Sequence, residues 1–235
     1  LFEFSYLKII GIKKQISEKP DQTDVFYNIE YSGFDLAGNR YVLKSKEAFS
    51  EKDNQEIVNM KSVEAFFYFK DDTILKVSSN FGIYNNKTLD MSFKNNVKAK
   101  YEESELFAGK AEYSNAKSFL IITEDVKIND TINKSIITGH YGEIFRDKDS
   151  AIVTKNALAV NIIKNDSLYI HSDTITITGK DEKKILKGYY DVRILKSDVR
   201  GLSDSIHFNQ ETGLIKLLKK PKSSRFLKTL TDEEK

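Results

Sequence analysis

Apolar and polar residues alternate along short stretches of this chain, and polar pairs separate the stretches. The strictest alternation is in Leu168–Thr178, where Ile175 and Ile177 oppose threonines. A period of two residues predicts β-strands with one buried face. Asn and Asp tolerate the left-handed conformations of tight turns. Hairpin turns are therefore predicted at Asp71-Asp72, Asn85-Asn86, Asn95-Asn96, Asn129-Asp130 and Asn165-Asp166. The pattern predicts an all-β chain of antiparallel hairpins.

Two segments in the N-terminal half of the chain also predict strands. Gly38-Asn39 lies between two alternating stretches and predicts a hairpin that resumes at Tyr41. The most apolar run of the chain is Ile57–Phe69, which has aromatic residues on both faces. This run predicts a strand that is covered on both sides or that faces a partner.

An internal repeat joins these strands into a larger pattern. Ile83–Lys98 recurs as Glu112–Lys127 with an offset of 29 residues, so that Tyr84 matches Tyr113 and Asn86 matches Asn115. Each copy is predicted to contain a strand, a polar turn, a second strand, a second polar turn and the start of another strand. Repeats of this length are typical of stacked units that cannot bury their apolar faces alone. The repeat predicts a ladder of short hairpins.

Composition narrows the function classes. At 235 residues, the chain can form one long β domain or two smaller ones. Its 37 basic and 35 acidic residues give a net charge of only +2, which does not indicate nucleic-acid binding. The absence of cysteine excludes disulfides, thiol catalysis and cysteine-bound zinc. Leu1–Ile12 is too short and too charged to span a bilayer, and it is interpreted either as the remnant of an anchor or signal or as a peripheral strand or helix.

Candidate catalytic and metal-binding residues are present but have no supporting spacing. His140, His171 and His207 could share a metal on neighbouring rungs, but no local ligand spacing supports a zinc site. The acidic candidates for glycoside hydrolysis are Asp173, Asp191, Asp198 and Asp204. No phosphate loop, nucleophile elbow or dinucleotide motif occurs. We therefore expect no catalysis, no cofactor and no metal, with a jellyroll carbohydrate-active enzyme as an alternative.

The apolar face of the ladder is the feature that most suggests a binding function. Alternation predicts an apolar interior lined by Phe67, Phe69, Leu75, Val77, Leu89, Met91, Phe93, Phe119 and Ile121. Such an interior can accept an acyl chain, because each buried methylene contributes about 0.8 kcal/mol without directional contacts. The alternative is a structural β-solenoid or adhesin-like scaffold with a sealed core. A register error of one residue inverts the contribution of any strand.

The first half of the chain resembles a known family. The resemblance lies in Tyr31–Ser45, Ile57–Ala65, Leu75–Tyr84 and the two repeat copies, and it covers roughly residues 28–128. These segments resemble LptC, the membrane-anchored periplasmic component of the lipopolysaccharide export bridge. The second half resembles the related OstA-like (LptA-type) proteins of Bacteroidota. That resemblance lies in Gly139–Glu143, Asp149–Lys155, Asp166–Thr174 and Asp191–Asn209.

The resemblance implies a fold and a function. The fold would be an open β-jellyroll, or β-taco, whose apolar interior holds the acyl chains of lipid A. The function would be non-enzymatic transfer of lipopolysaccharide through the periplasm towards the outer membrane. The implied partners are lipopolysaccharide, other LptA/LptC-type jellyrolls that pair through edge strands, and inner-membrane ABC transporter subunits. Anchoring in the inner membrane would use an N-terminal helix.

These expectations divide the chain into four parts. Residues 1–24 are predicted to be an N-terminal segment and linker, with a possible anchor remnant. Residues 25–131 are predicted to be the LptC-like jellyroll, and residues 132–221 the OstA-like continuation or a second, abutting jellyroll. Residues 222–235 are predicted to be a flexible charged tail.

Overall fold

The computed structural model describes residues 6–9, 25–51, 53–116, 119–145, 148–163, 166–180, 183–197 and 199–225. These residues form fifteen strands: β1 Tyr6–Ile9, β2 Val25–Phe34, β3 Arg40–Glu51, β4 Asn54–Tyr68, β5 Ile74–Asn85, β6 Met91–Tyr101, β7 Ser104–Ser114, β8 Phe119–Asp130, β9 Ser135–Phe145, β10 Ser150–Ile163, β11 Asp166–Thr178, β12 Ile185–Lys196, β13 Val199–Asn209, β14 Ile215–Leu218 and β15 Lys222–Arg225. Within this described part of the chain, no helix is long and apolar enough to cross a membrane.

The strands form an antiparallel sheet that follows the order of the chain. Consecutive strands from β1 to β14 are hydrogen-bonded to one another, and β15 pairs with β13. The β4 and β5 pair is typical, with Ala65 opposite Val77 and Met60 opposite Gly82. Consecutive strands joined by short turns are hairpins. The predicted all-β ladder of antiparallel hairpins is therefore confirmed.

Several of the predicted turns are confirmed at the ends of strands. Between β2 and β3, the Gly38 amide donates to the Asp35 carbonyl at 2.9 Å, and the Asn39 amide donates to the Asp35 carboxylate at 2.7 Å. Gly38 has a φ of 79°, which a residue without Cβ adopts at little cost. The turns predicted at Asp71-Asp72 and Asn85-Asn86 join β4 to β5 and β5 to β6.

A second class of Asn and Asp positions bends strands without ending them. Adjacent residues with positive φ occur at Asn95-Asn96, Glu124-Asp125, Lys155-Asn156, Tyr190-Asp191 and Lys219-Lys220. The first four pairs lie in the middle of β6, β8, β10 and β12, and the fifth joins β14 to β15. The prediction of a turn at Asn95-Asn96 is wrong, because the register shifts between Lys94 and Val97 while β6 continues. The extra residue makes a bulge, which bends the strand.

Buried serines support the bends of the odd-numbered strands. Their hydroxyls donate to the backbone carbonyl two residues later, and the serines that do so are Ser79 (2.7 Å), Ser172 (2.9 Å) and Ser203 (2.8 Å). At a bend the ladder bonds between strands are locally interrupted, so these carbonyls need another donor. In β2 and β4 the bend is simpler and consists of a single residue with positive φ, Asn28 or Ser62.

The described residues group into two compact units. Unit 1 lies within Leu1–Val126 and Glu143–Asp147, and unit 2 lies within Lys127–Gly142 and Lys148–Lys235. Strand β1 belongs to the predicted N-terminal segment 1–24, of which residues 1–5 and 10–24 lie outside the described residues. Strand β15 occupies the first four residues of the predicted tail, and residues 226–235 lie outside the described part.

Unit 1 is folded in two across its bends. The β2–β3 turn and the β7–β8 turn lie at opposite ends of its ladder, because five antiparallel strands run between them. Nevertheless, the Leu36 amide in the first turn donates a hydrogen bond of 3.1 Å to the Asn115 side-chain oxygen in the second. The ends can meet only if the strands fold back at their bends. Each strand therefore contributes to two facing walls, and we call the line where the wall ends meet the mouth.

Unit 2 has its own apolar core between the bends of β10, β12 and β13. The buried residues of this core are Ile137, Val153, Ala157, Ala159, Leu168, Ile170, Ile175, Leu186, Val192, Ile194, Ile206 and Phe208. Asp130, at the end of β8, forms an ion pair with Lys184 in the β11–β12 turn. These two turns also lie at opposite ends of their strands, so unit 2 folds back on itself in the same way.

Candidate functional site

The interior of unit 1 contains four of the predicted lining residues in a fully buried state. The exposed fractions are 4% for Phe67, 2% for Val77, 3% for Met91 and 1% for Phe93. Phe93 pairs with Ala111 and Gly82 across the neighbouring strands. The small neighbours leave room for the large ring between the walls.

Three further predicted residues lie at the border of the interior. Leu75 and Phe69 are half-buried and follow the same alternation as the inward residues Val77 and Phe67. The Phe69 ring contacts the Tyr101 ring edge to face at 6.0 Å between centroids. Leu89 is half-buried in the β5–β6 turn, where its φ is 61°. It lies outside the strands that form the walls.

The last two predicted residues lie on the other face of β8. Ile122 is fully buried, and Phe119 and Ile121 alternate with it along the strand. Phe119 and Ile121 line a groove of about 270 Å³ together with Ile83 and Glu112, and this groove also reaches Met91 and Tyr113. The inward residue of β8 is therefore Ile122, which the sequence analysis did not name.

A row of aromatic side chains closes the mouth of unit 1. The Tyr41 and Tyr84 hydroxyls come from opposite walls and are hydrogen-bonded at 2.8 Å. Tyr84 also contacts the Tyr31 ring at 5.4 Å between centroids, and Phe67 contacts the Tyr113 ring at 5.5 Å. Aromatic pairs at these distances contribute about 0.5–1.5 kcal/mol beyond their buried area. The two walls are thus joined by side chains along this line.

Asn115 fixes the same line through three hydrogen bonds. Its side-chain oxygen accepts from the Leu36 amide, its side-chain nitrogen donates to the Thr88 carbonyl at 3.2 Å, and its backbone amide donates to the Asp90 carboxylate at 2.8 Å. The side chain is buried, so each of these bonds replaces one that water would supply. We define the mouth seam as Asp35, Leu36, Tyr41, Tyr84, Tyr113 and Asn115.

The Tyr84 and Tyr113 hydroxyls of the mouth seam have raised pKa values. Burial, followed by the hydrogen bond with Tyr41, raises the pKa of Tyr84 far above its ordinary value. Burial also raises the pKa of Tyr113, and the neighbouring Asp35 carboxylate adds to the effect through its charge and a hydrogen bond. These two hydroxyls therefore stay protonated, and keep their hydrogen bonds, across the neutral pH range.

Sequence reasoning missed the mouth seam, although one signal pointed to it. Tyr84 and Tyr113 are equivalent positions of the internal repeat, and so are Asn86 and Asn115. In the structure Tyr84 and Tyr113 are both seam residues, whereas Asn86 is exposed and donates to the Gln55 carbonyl at 3.3 Å. Contacts across the mouth depend on where the strands bend. The alternation of apolar and polar residues does not show these positions.

A larger polar groove follows the bends of unit 1. Its volume is about 840 Å³, and its lining includes the bend residues Asn28 and Ser62 as well as Lys46 and Lys98. The buried hydroxyl of Ser45 also lines this groove and makes no hydrogen bond. The bend region is therefore less tightly packed than the interior on either side of it.

The histidines and acidic residues considered for catalysis lie on β9, β11, β12 and β13 where the structure describes them. Among the described residues, no group of three or more His, Asp or Glu side chains is placed to hold a metal ion. Asp173 accepts a hydrogen bond from the neighbouring Thr174 hydroxyl at 3.0 Å, and Asp191 forms an exposed ion pair with Arg193. Asp204 is exposed on β13, and Asp198 lies outside the described residues. His207 is flanked by lysines, and burial together with Lys187 and Lys216 lowers its pKa.

Comparison with known proteins finds one family model that matches the first part of the chain. Residues 3–106 match the LptC family model, described as lipopolysaccharide-assembly, LptC-related. The matched segment is a little under half of the chain and lies within unit 1. No curated protein sequence matches this chain.

Among solved structures, the chain is similar to LptH, the LptA-homologous periplasmic component of the lipopolysaccharide transport device of Pseudomonas aeruginosa. The two chains share 11% sequence identity with a TM-score of 0.44, over 49% of this chain and 82% of LptH. The family match confirms the predicted resemblance to LptC in the first half. Over residues 3–106, this chain is similar to the LptC-related family of lipopolysaccharide-assembly proteins.

Proposed function

We propose that this protein is a non-enzymatic carrier that binds the acyl chains of lipopolysaccharide between the walls of unit 1. The observation that carries this proposal is that the LptC-related match, residues 3–106, falls on the unit whose apolar interior is built from bent strands. An acyl chain needs only apolar surface, since each buried methylene contributes about 0.8 kcal/mol. Phe67, Val77, Met91 and Phe93 supply that surface.

The residues of the inner lining are identified by the face of the strand on which they lie. The residues proposed to contact lipid are the inward ones, namely Phe67, Phe69, Leu75, Val77, Met91, Phe93 and Ile122. Leu89 contributes from its turn. Phe119 and Ile121 do not belong to this set, because they alternate with the buried Ile122 along β8.

Location and partners follow from the same proposal. A lipopolysaccharide carrier of this family acts in the periplasm and passes its cargo towards the outer membrane. It pairs through exposed edge strands with similar modules, because an unpaired strand edge binds another strand through backbone hydrogen bonds. The ABC transporter subunits of the inner membrane would supply the lipid, and anchoring to that membrane stays a prediction from the resemblance.

One observation favours a second candidate, a scaffold with a sealed core. Phe93 is only 1% exposed, and the interior side chains of unit 1 contact one another. A sealed scaffold requires no cargo and predicts that lipid never reaches these side chains. The same experiment therefore separates the two candidates.

The experiment is site-specific photocrosslinking in cells that make lipopolysaccharide. A photoreactive phenylalanine analogue replaces Phe67 or Met91 inside, and Lys76, Lys87 or Phe119 outside. Phe119 is a matched control because it is aromatic but alternates with the buried Ile122 along β8. The carrier predicts lipopolysaccharide adducts from the two inner positions and few from the outer ones. Adducts from none of them in folded protein would support the scaffold.

A further inference from the structure

We propose that the mouth seam of unit 1 is a gate, at which the two walls separate to admit an acyl chain while the bends act as hinges. This inference rests on the proposed carrier function and assigns it a route. The route runs between Tyr41 and Tyr84 and past Asn115, where a pair of hydroxyls and a backbone amide bound to a side chain join the two walls.

The buried state of the interior requires such a route. Met91 and Phe93 are almost inaccessible to solvent, and Phe67 is covered by the rings of Tyr41 and Tyr113. An acyl chain can reach these side chains only if covering groups move. The covering groups over Phe67 are residues of the mouth seam.

Across the mouth of unit 1, the described residues are joined by side-chain contacts rather than by a ladder of backbone hydrogen bonds. Along each strand pair, a continuous ladder of backbone hydrogen bonds holds the neighbouring strands together, as between β4 and β5. Across the mouth the contacts are the Tyr41–Tyr84 hydroxyl bond, the Leu36–Asn115 bond, the contact of Tyr113 with Asp35 and ring contacts. Opening there leaves every strand paired with its neighbours.

The bends have the features that a hinge needs. Asn28, Ser62, Asn95 and Asn96 already have positive φ, and the regular ladder is interrupted beside Asn95 and Asn96. The polar groove of about 840 Å³ runs along the bends and gives them space to change angle. The buried Ser45 hydroxyl in this groove has no partner, so a change of angle there breaks no hydrogen bond of this group. Hinges commonly consist of a few residues that absorb a change in φ and ψ.

The test uses the absence of cysteine in the natural sequence. The double variant Leu36→Cys/Ala116→Cys places two exposed thiols on opposite sides of the mouth, where a short bis-maleimide links the walls. The matched control is Glu64→Cys/Lys76→Cys, whose natural side chains are 3.4 Å apart on neighbouring strands of one wall. Both proteins carry the photoreactive analogue at Phe67 and are mixed with purified lipopolysaccharide, and the initial rate of adduct formation is measured.

A gate predicts that linking the mouth lowers this rate by at least about tenfold, which corresponds to 1.4 kcal/mol, while linking one wall leaves it unchanged. Equal rates for both linked proteins would overturn the gate and leave the carrier function in place. No adduct from any protein, including the unlinked ones, would refute the carrier function and the gate together.

A milder variant tests the same seam without a cross-link. Tyr84→Phe keeps the ring but removes the hydroxyl bond to Tyr41, so uptake is expected to become several-fold faster. Tyr101→Phe is the control, because its hydroxyl contacts Thr73 at 3.2 Å and not the opposite wall. A faster rate in both variants, or in neither, would contradict the gate.

Discussion

Asp130 and Lys184 form an ion pair of 2.5 Å that joins two turns lying 54 residues apart in unit 2. The Asp130 carboxylate is nearly buried and also accepts hydrogen bonds from the backbone and side chain of Asn133. Unit 2 is therefore held closed by a charged pair at the position where unit 1 uses neutral tyrosines. The same folded hairpin ladder is thus closed by different chemistry in its two units.

Removal of one member of this pair should destabilise unit 2. Lys184→Met leaves the Asp130 carboxylate buried without its cation, and we expect a loss of about 2–4 kcal/mol in the free energy of unfolding. Urea unfolding of the full chain measures this loss. Lys180→Met is the matched control, because Lys180 pairs with Asp149 at an exposed site. Equal losses in the two variants would show that burial of the pair has no consequence.

Acidification should weaken unit 2 through the same carboxylate. Burial alone would raise the pKa of Asp130, but the hydrogen bonds from Lys184 and Asn133 outweigh burial and hold the pKa below its ordinary value of 3.8. A depressed carboxyl pKa stabilises the fold above the unfolded pKa of about 3.9, and this contribution is lost as the pH falls through the folded value. Urea unfolding between pH 6 and pH 2 should show the loss in the natural protein and a smaller one in Asp130→Asn.

Asn115 should contribute more to stability than Asn86, its equivalent in the internal repeat. Asn115→Ala removes the side-chain bonds to Leu36 and Thr88 at a buried site and should cost about 2–4 kcal/mol. Asn86→Ala removes one long bond at an exposed site and should cost less than about 1 kcal/mol. Thermal unfolding of both variants gives the comparison. Similar costs would mean that the position in the repeat, rather than the mouth contacts, determines stability.

A charge on the inner face should impair lipid capture without unfolding the protein. Leu75→Glu places a carboxylate at the border of the interior, and desolvation of this charge should reduce lipopolysaccharide adducts at Phe67 by at least about tenfold. Asn86→Asp changes an exposed turn and should leave adduct formation unchanged. Circular dichroism of both variants checks that they are folded. Equal losses in both would indicate general destabilisation instead.

The bends should reject side chains that disfavour positive φ. Asn95 has a φ of 60°, which Asn adopts readily but a β-branched residue does not. Asn95→Val should therefore cost about 1–3 kcal/mol in the free energy of unfolding, whereas Asn95→Gly should be nearly neutral. Chemical denaturation of the two variants measures the difference. A tolerated valine would mean that β6 can straighten at this point.

The sequence pattern predicted the hairpin turns better than the bends, because turns and bends use the same local backbone conformation. At Gly38-Asn39, a glycine at positive φ gives an unambiguous turn signal, and the turn is there. At Asn95-Asn96, the same preference for left-handed conformations serves a bulge inside a strand. Two adjacent Asn residues do not tell whether the chain reverses or bends, because both need positive φ.

The inward faces were predictable only where alternation was clear. In β6, Met91 and Phe93 alternate with polar residues, and both are buried. In β8, four consecutive apolar residues precede Thr123, so the pattern does not show which of them face inward. For this reason, the pattern could not distinguish Phe119 and Ile121 from Ile122 as lining residues. Alternation does not predict the contacts of the mouth seam, since Tyr41 and Tyr84 meet only after the sheet has folded in two.

The bend pairs have a consequence for how such a chain can grow. Their spacings of 29, 31, 35 and 29 residues, counted between first members, each span two strands. Two strands lengthen a sheet by about 10 Å along its hydrogen-bonding direction. A duplicated or deleted hairpin therefore changes the length of the sheet in fixed steps. Every remaining bend keeps its place within its own strand. Gene-level insertion of a whole hairpin is thus compatible with the fold, whereas insertion of half a hairpin would reverse the strand direction of everything that follows.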